Sequence, residues 1–264
     1  MPPKFTESRY LLMNPTLPTP ALADLADLPA ALVNSGWAVI DAPAFGRLGG
    51  LPAQTLVPWA AHWQALPHDT HLRDGGHYRR RRHGSFVATQ SSLAPVAHRA
   101  HWQPVEYNAL HGGIARWFEP LPAALVADPA WAALLQGLAG VADTLRGTQP
   151  WFVEAHLFRI DTEGAGAIGR PTPEGAHRDG VDLVVVALVD RHNVKGGETR
   201  VFDAEGPQGV RFTLGEPWSA LLLDDERVIH ESTPIQPQDP TLPAWRDTLV
   251  LTYRKGGFQG PEGG

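Results

Sequence analysis

The feature that most restricts the fold is a change of pattern at Gln149. Beyond it the chain breaks into short apolar segments: Trp151–Ile160, Val181–Asp190, Glu198–Phe202, Val210–Leu214, Ser219–Leu223, Val228–Ser232 and Asp247–Lys255. Gly, Pro or Asp stands in nearly every gap, and a spacing of roughly 8–12 residues is the mark of an all-β unit. Seven or eight such strands predict a double-sheet jelly roll, the cupin-like double-stranded β-helix. Before Gln149 the spacing is mostly helical. Helices are expected over Ala21–Leu32 and Pro52–Leu66, and two more within Ala123–Leu145, divided where Asp128-Pro129 offers a cap and a first-turn proline. Short strands interrupt them at Trp37–Asp41 and Ser85–Thr89. The expected architecture is mainly β with flanking helices, one domain over residues 1–264. Residues 1–148 form a mostly helical half packed on the barrel, residues 149–256 form the barrel itself, and Gly256–Gly264 is a frayed tail.

Composition narrows the chemistry. Cysteine is absent from the 264 residues, which removes thiolate nucleophiles, iron–sulfur clusters and Cys-ligated zinc, so any metal is held by nitrogen and oxygen. The 27 glycines and 25 prolines suit a fold rich in turns. A net charge of −6 argues against nucleic acid as the main partner. Met1–Tyr10 lacks the basic-then-apolar order of a secretory signal, and no stretch reaches the ~18 apolar residues of a membrane span. The expectation is a cytoplasmic protein with no membrane partner.

The informative segment is Pro173-Glu174-Gly175-Ala176-His177-Arg178-Asp179-Gly180. His177 and Asp179 are two apart, so an extended chain points both side chains to one side, and His230 lies on a later strand. Two imidazoles and one carboxylate on one side of a metal form the facial triad of non-haem Fe(II) oxygenases, which leaves three coordination positions open. Composition alone yields His-x-Asp ~0.7 times in such a chain, so the triplet by itself also fits a loop histidine beside a turn-capping aspartate.

Taken with Arg191-His-Asn193-Val-Lys-Gly196-Gly197-Glu198, Asp224-Asp225…His230 and Arg246-Asp247, the segment resembles the bacterial 2-oxoglutarate/Fe(II) dioxygenases that hydroxylate free amino acids, typified by isoleucine hydroxylase. The resemblance covers roughly Val153–Arg254 and touches Tyr78–Phe86. It implies the same double-stranded β-helix, with Fe(II) bound by His177, Asp179 and His230 as the catalytic set. It also implies 2-oxoglutarate and O2 as cosubstrates, succinate and CO2 as products, and ascorbate as a reductant in vitro. Arg246, sixteen residues after His230, would clamp the distal carboxylate of 2-oxoglutarate, because a guanidinium fork matches a carboxylate and stays charged when buried. Arg254 is the rival, on the same face of the last strand. The aspartate at 179 leaves no halide position, which disfavours halogenation.

Further residues are candidates for substrate contact. In the run Arg79-Arg80-Arg81-Arg82 only alternate side chains can turn inward, and Arg80 and Arg82 are the expected pair for a substrate carboxylate. A solvated strand face and a nucleic-acid patch are the other readings of that run. Glu154 and His156 share one strand face and could reach the substrate, or His156 could be a buried, hydrogen-bonded core residue. The expected partner is a small molecule, a free L-amino acid or derivative. Oligomeric state is open, with a homodimer compatible. Two other functions remain: a metal-dependent hydrolase or isomerase on a similar barrel, and a non-catalytic cupin-like binding protein.

Overall fold

The protein is described by a computed structural model covering residues 19–108, 110–162 and 168–261. The segment Met1–Tyr10 and the last three residues of the predicted tail therefore lie outside the described residues. In chain order the strands are β1 (Trp37–Ile40), β2 (Arg79–Ala88), β3 (Leu93–Pro95), β4 (Trp151–Asp161), β5 (Leu183–His192), β6 (Val194–Gly196), β7 (Thr199–Asp203), β8 (Gly209–Phe212), β9 (Ala220–Asp224), β10 (Val228–Ser232), β11 (Ile235–Pro237) and β12 (Trp245–Arg254). The helices are α1 (Leu28–Ser35), α2 (Ala42–Leu48), α3 (Ala123–Val126) and α4 (Pro129–Arg146). All seven strands expected beyond Gln149 are present within two residues of their predicted limits, and the two short ones, β6 and β11, were not foreseen.

The strands assemble as an antiparallel seven-stranded sheet in the order β1-β9-β5-β12-β4-β2-β3, faced by a three-stranded sheet β10-β7-β8 and a two-stranded sheet β11-β6. This is the jelly roll that the strand spacing predicted. The large sheet has two occupied faces. One set of alternating residues, including Val153, Ala155 and Leu157 of β4, Val185 and Ala187 of β5 and Leu249, Leu251 and Tyr253 of β12, packs against the helices. On the opposite face Val184, Leu188, Leu221 and Leu223 meet Val201, Phe212 and Val228 of the smaller sheet. The period of two along a strand produces both faces from one sequence.

The helical half departs from expectation in detail. Asp128 does cap α4, accepting from Ala130 N at 2.9 Å, and Pro129 opens its first turn. Buried residues of α4 recur at helical spacing, Trp131, Leu134, Leu135, Leu138, Val141 and Ala142, and each large side chain removed from water contributes about 1.5–3 kcal/mol. The predicted helix Ala21–Leu32 starts only at Leu28, because Ala23 N bonds to Val39 O and draws the preceding segment alongside β1. Over Pro52–Leu66 the chain forms two 3₁₀ turns, Ala53–Thr55 and Val57–Trp63, instead of one α-helix. Pro58, at the second position of the longer turn, supplies no N–H, and the turn seats Trp59 and Trp63 in the core beside Trp131 and Trp218. Ser85–Thr89 is the end of the longer strand β2, which pairs along its whole length with β4 and so makes the N-terminal half contribute to the seven-stranded sheet.

Gly137 shows how closely the helices approach: a Cβ there would collide with the Leu48 carbonyl at the end of α2. Gly→Ala inside a helix ordinarily stabilises by up to ~1 kcal/mol. Here overpacking reverses the sign, and Gly137→Ala is expected to lower stability by about 1–3 kcal/mol in chemical denaturation.

Candidate active site

His177 and His230 are joined through the backbone. His177 N donates to His230 O at 3.0 Å and His230 N donates to His177 O at 2.9 Å, an isolated antiparallel bridge between a loop and β10. A second device holds Asp179. The side chain of Asp225, in the turn between β9 and β10, accepts from Asp179 N at 3.0 Å, Gly180 N at 2.7 Å and Val181 N at 3.1 Å. Gly180 has φ of 74°, which allows three successive N–H groups to converge on one carboxylate. By residue type the Asp224-Asp225 pair reads as a simple turn. The turn is there, and its second residue also builds the site.

With the backbone so arranged, the donor atoms of His177, Asp179 and His230 lie within 4.8 Å of one another. His177 Nε2 stands 3.7 Å from Asp179 Oδ1, and His230 Nε2 stands 3.8 Å from Asp179 Oδ2. The spacing is too long for direct hydrogen bonds and leaves room for an ion between them. His177 Nδ1 lies 2.9 Å from Gly175 O and donates to it, which orients Nε2 toward the other two donors. Gln103 Nε2 donates to Asp179 Oδ1 at 3.1 Å. Burial raises the Asp179 pKa, opposed by His177, while burial and the neighbouring His177 lower that of His230. Burial also works against charging His177, but Asp179 and Glu174 outweigh it and the net shift is upward. A nitrogen and oxygen set of this kind suits a first-row divalent metal.

The three residues line a cavity of about 130 Å3. Arg246, Thr248, Val250 and Thr252 of β12 line it on one side, and Glu154, His156, Phe158 and Ile160 of β4 on another. Arg246 is buried, and its Nε and Nη2 atoms have no acceptor. Burial and the nearby Arg191 lower its pKa to about 10, so it stays a cation at neutral pH. A buried guanidinium with two idle donors is costly unless a ligand carboxylate completes it. Arg254 ends β12 outside the cavity lining, where Nη1 donates to Gly257 O at 2.6 Å. It is Arg246 that faces the cavity.

Arg80 and Arg82 do not turn inward. Arg80 Nε bonds Asp161 at 2.9 Å, and Arg82 meets Glu119 at 2.9 Å and the Pro120 carbonyl at 3.0 Å. Arg79 and Arg81 face the cavity instead, because β2 pairs with β4 in a register that sets Arg81 opposite Phe158 and Arg79 opposite Ile160. Directly opposed residues share a face, and the cavity face of β4 is the one carrying Glu154 and His156. Arg81 is clamped between aromatic rings, its guanidinium 3.8 Å from the Phe118 centroid and 4.4 Å from that of Phe158. Arg116, His101, Gln103, Asn108 and Gln259 also line the cavity and were not foreseen. The first four lie in a stretch without helical or strand periodicity, where sequence pattern offers no handle. Gln259 belongs to the tail expected to fray; its Nε2 donates to Asp179 O at 3.0 Å and Gly180 O at 2.9 Å, which docks the tail on the site.

A second group, His83, His101, Glu154 and His156, also brings donor atoms within 4.8 Å and could hold an ion. Its lone pairs are largely engaged. Arg81 Nη2 donates to His156 Nδ1 at 2.8 Å, and Arg99 Nη1 donates to Glu154 Oε1 at 2.8 Å. His83 Nε2 and His101 Nδ1 lie 3.2 and 3.0 Å from the Glu154 carboxylate. With two guanidinium groups bonded to it, this group reads as a hydrogen-bonded cavity wall. Burial holds His101 down to about 3 and lowers His83 and His156 as well. An unfolded chain binds protons on these imidazoles below about pH 6.5, while the native one binds them only at lower pH. Their contribution to stability is therefore full above that pH and lost as pH falls. Each histidine that stays neutral at pH 5 should cost about 2 kcal/mol there relative to pH 7. Urea midpoints measured without metal at the two pH values check this.

Comparison with known proteins agrees with the geometry. The chain is 25% identical over 160 residues to the 3(1)-hydroxy-L-isoleucine 4-dioxygenase of Pantoea ananatis, covering 58% of this chain and 63% of that protein, just under two thirds of its length. The crystal structure of a bsmA homolog from Methylobium petroleophilum PM1 is 55% identical, with a TM-score of 0.86 over 92% of this chain and 98% of that one. IDO from Bacillus thuringiensis shares the fold at 15% identity, with a TM-score of 0.71 over 91% of this chain and all of that one. The 2OG-Fe dioxygenase family model matches residues 60–252, a span that holds β2, the His177–Asp179–His230 cluster and Arg246, and the chain belongs to that family.

Proposed function

We propose that this protein is a 2-oxoglutarate-dependent Fe(II) hydroxylase of a small molecule, with a free L-amino acid or close derivative as substrate. The observation that carries the reading is the pairing, in one cavity, of a His177–Asp179–His230 donor set with a buried guanidinium, Arg246, whose Nε and Nη2 lack acceptors. A hydrolase or isomerase using the same three ligands has no need for a buried carboxylate clamp beside them, and a merely structural barrel has none for either. The name of the Pantoea ananatis relative supports the amino-acid class.

In this reading His177, Asp179 and His230 hold Fe(II), and Arg246 receives the distal carboxylate of 2-oxoglutarate. When bound, the iron and its cosubstrates supply the oxidative decarboxylation to succinate and CO2 and the insertion of one oxygen atom into an unactivated C–H bond. The chain supplies position and dryness. Asp225 holds the 179–181 turn, and Gln103 and Gln259 fix the side chain and carbonyl of Asp179 from two directions. The apolar wall of Phe158, Ile160, Val186 and Val250 excludes water from the reacting carbon. Within the same cavity the substrate carboxylate meets Arg81 and Arg116. Both are buried, and the Nε of each lacks an acceptor. Arg81 is held in plane by Phe118 and Phe158, and Arg116 by its bond to Gln103 at 2.8 Å.

Incubation with Fe(II), ascorbate, 2-oxoglutarate and a panel of free amino acids should yield succinate and a product heavier by one oxygen. His177→Ala and His230→Ala should each reduce succinate to the metal-free background, and the absence of succinate with every amino acid would overturn the reading. Arg246→Ala should raise the apparent KM for 2-oxoglutarate about 10- to 100-fold, the worth of a hydrogen-bonded charge pair. An unchanged KM would remove Arg246 from the clamp role.

A further inference from the structure

One cavity-lining carboxylate has no task in the scheme above. Asp179 belongs to the metal set, and Glu154 is engaged by His83, His101 and Arg99. Glu174 lines the same cavity, yet among the described residues no hydrogen bond reaches it, and its buried Oε2 has no donor. Its Oε1 lies 3.7 Å from His177 Nε2, beyond hydrogen-bond distance, and it stands beside the three-residue donor set without joining it. His177 does not depend on it for orientation, because Gly175 O already takes the proton on Nδ1. A carboxylate oxygen buried without a donor is an uncompensated cost, and the missing partner is a cation or a strong donor.

We propose that Glu174 receives the ammonium group of the substrate. The cavity then presents two complementary groups to an α-amino acid zwitterion: Arg81 and Arg116 for the carboxylate, Glu174 for the amine. The site therefore selects free α-amino acids over the same skeletons with the amine replaced by hydroxyl or masked by acylation. This inference rests on the hydroxylase reading and extends it from a compound class to a recognition element. Selection of this kind is strong because a skeleton without the ammonium leaves the buried carboxylate unpaired.

The test is calorimetric and needs no turnover. Enzyme loaded with Mn(II) and 2-oxoglutarate is titrated with the best amino acid from the panel, its 2-hydroxy acid and its N-acetyl derivative. Wild type should bind the amino acid at least about 10-fold more tightly than either analogue. Glu174→Gln keeps the shape and removes the charge. At saturating Mn(II) it should weaken the amino acid by about 10- to 100-fold, while binding of the 2-hydroxy acid stays within about two-fold. Wild type that binds the 2-hydroxy acid as tightly as the amino acid overturns the proposal. So does a Glu174→Gln variant that keeps the wild-type preference, or that weakens all ligands together. If amino acids are turned over and the preference survives the substitution, only the role of Glu174 falls. If no amino acid gives succinate, the hydroxylase reading falls and this proposal with it.

Discussion

Three consecutive backbone N–H groups, of Asp179, Gly180 and Val181, end on the single carboxylate of Asp225. The turn that carries Asp179 has no ladder of its own, and without that acceptor its amides would be buried and unpaired. Asp225 is in turn fixed by the short connection from β9 to β10, the strand that bears His230. The same connection thus sets two of the three metal-binding candidates, and the reciprocal backbone bridge between His177 and His230 sets the third. Burial, with the charge of Asp179 beside it, raises the pKa of Asp225. Two carboxylates are held close in a dry site, and an ion between the donors relieves that repulsion.

Charge is distributed along the cavity with little redundancy. Arg79 pairs with Asp69 at 2.7 Å and Arg99 with Glu154 at 2.8 Å, whereas Arg81 reaches the Asp69 carboxylate only at 3.9 Å and, among the described residues, Arg246 and Arg116 have no carboxylate within 4 Å; all three keep a nitrogen without an acceptor. Burial lowers Arg116 to about 10 with Arg79 adding to the shift, so the site tolerates positive charge that it could have avoided. Idle buried guanidinium groups are expensive in a protein evolved for stability alone and sensible in one that binds anions. The three neutral histidines add donors and shape without adding further cations.

Much of this was legible in the chain. Strand spacing beyond Gln149 predicted the jelly roll, and the His177-x-Asp179 pair with His230 and Arg246 named four residues that the fold brings into one cavity. These are local patterns: alternation along a strand, and ligands carried at strand ends. The inward pair on β2 was assigned to Arg80 and Arg82, one residue out of phase. Alternation predicts that every second arginine turns inward but carries no phase, and the phase comes from pairing with β4. Glu154 on β4 was available as a marker of the cavity face, yet using it requires knowing which strand is the neighbour. Ala21–Leu32 and Pro52–Leu66 failed for a related reason, since both have helical composition and both give way to contacts made elsewhere, with Val39 and with the tryptophan cluster.

By itself the amino-acid sequence determined the fold class, the exclusion of sulfur ligands and the candidate donor group His177, Asp179 and His230, because each depends on residue type and short-range spacing. Tertiary structure decided what surrounds them: Arg79 and Arg81 in place of their neighbours, Arg116 and Gln103 from an aperiodic stretch, Gln259 from a tail docked on the site, and Glu174 left without a donor. Those placements depend on strand register and on loops meeting across as many as 160 residues of sequence, as between Arg99 and Gln259, and no periodicity within the chain encodes them.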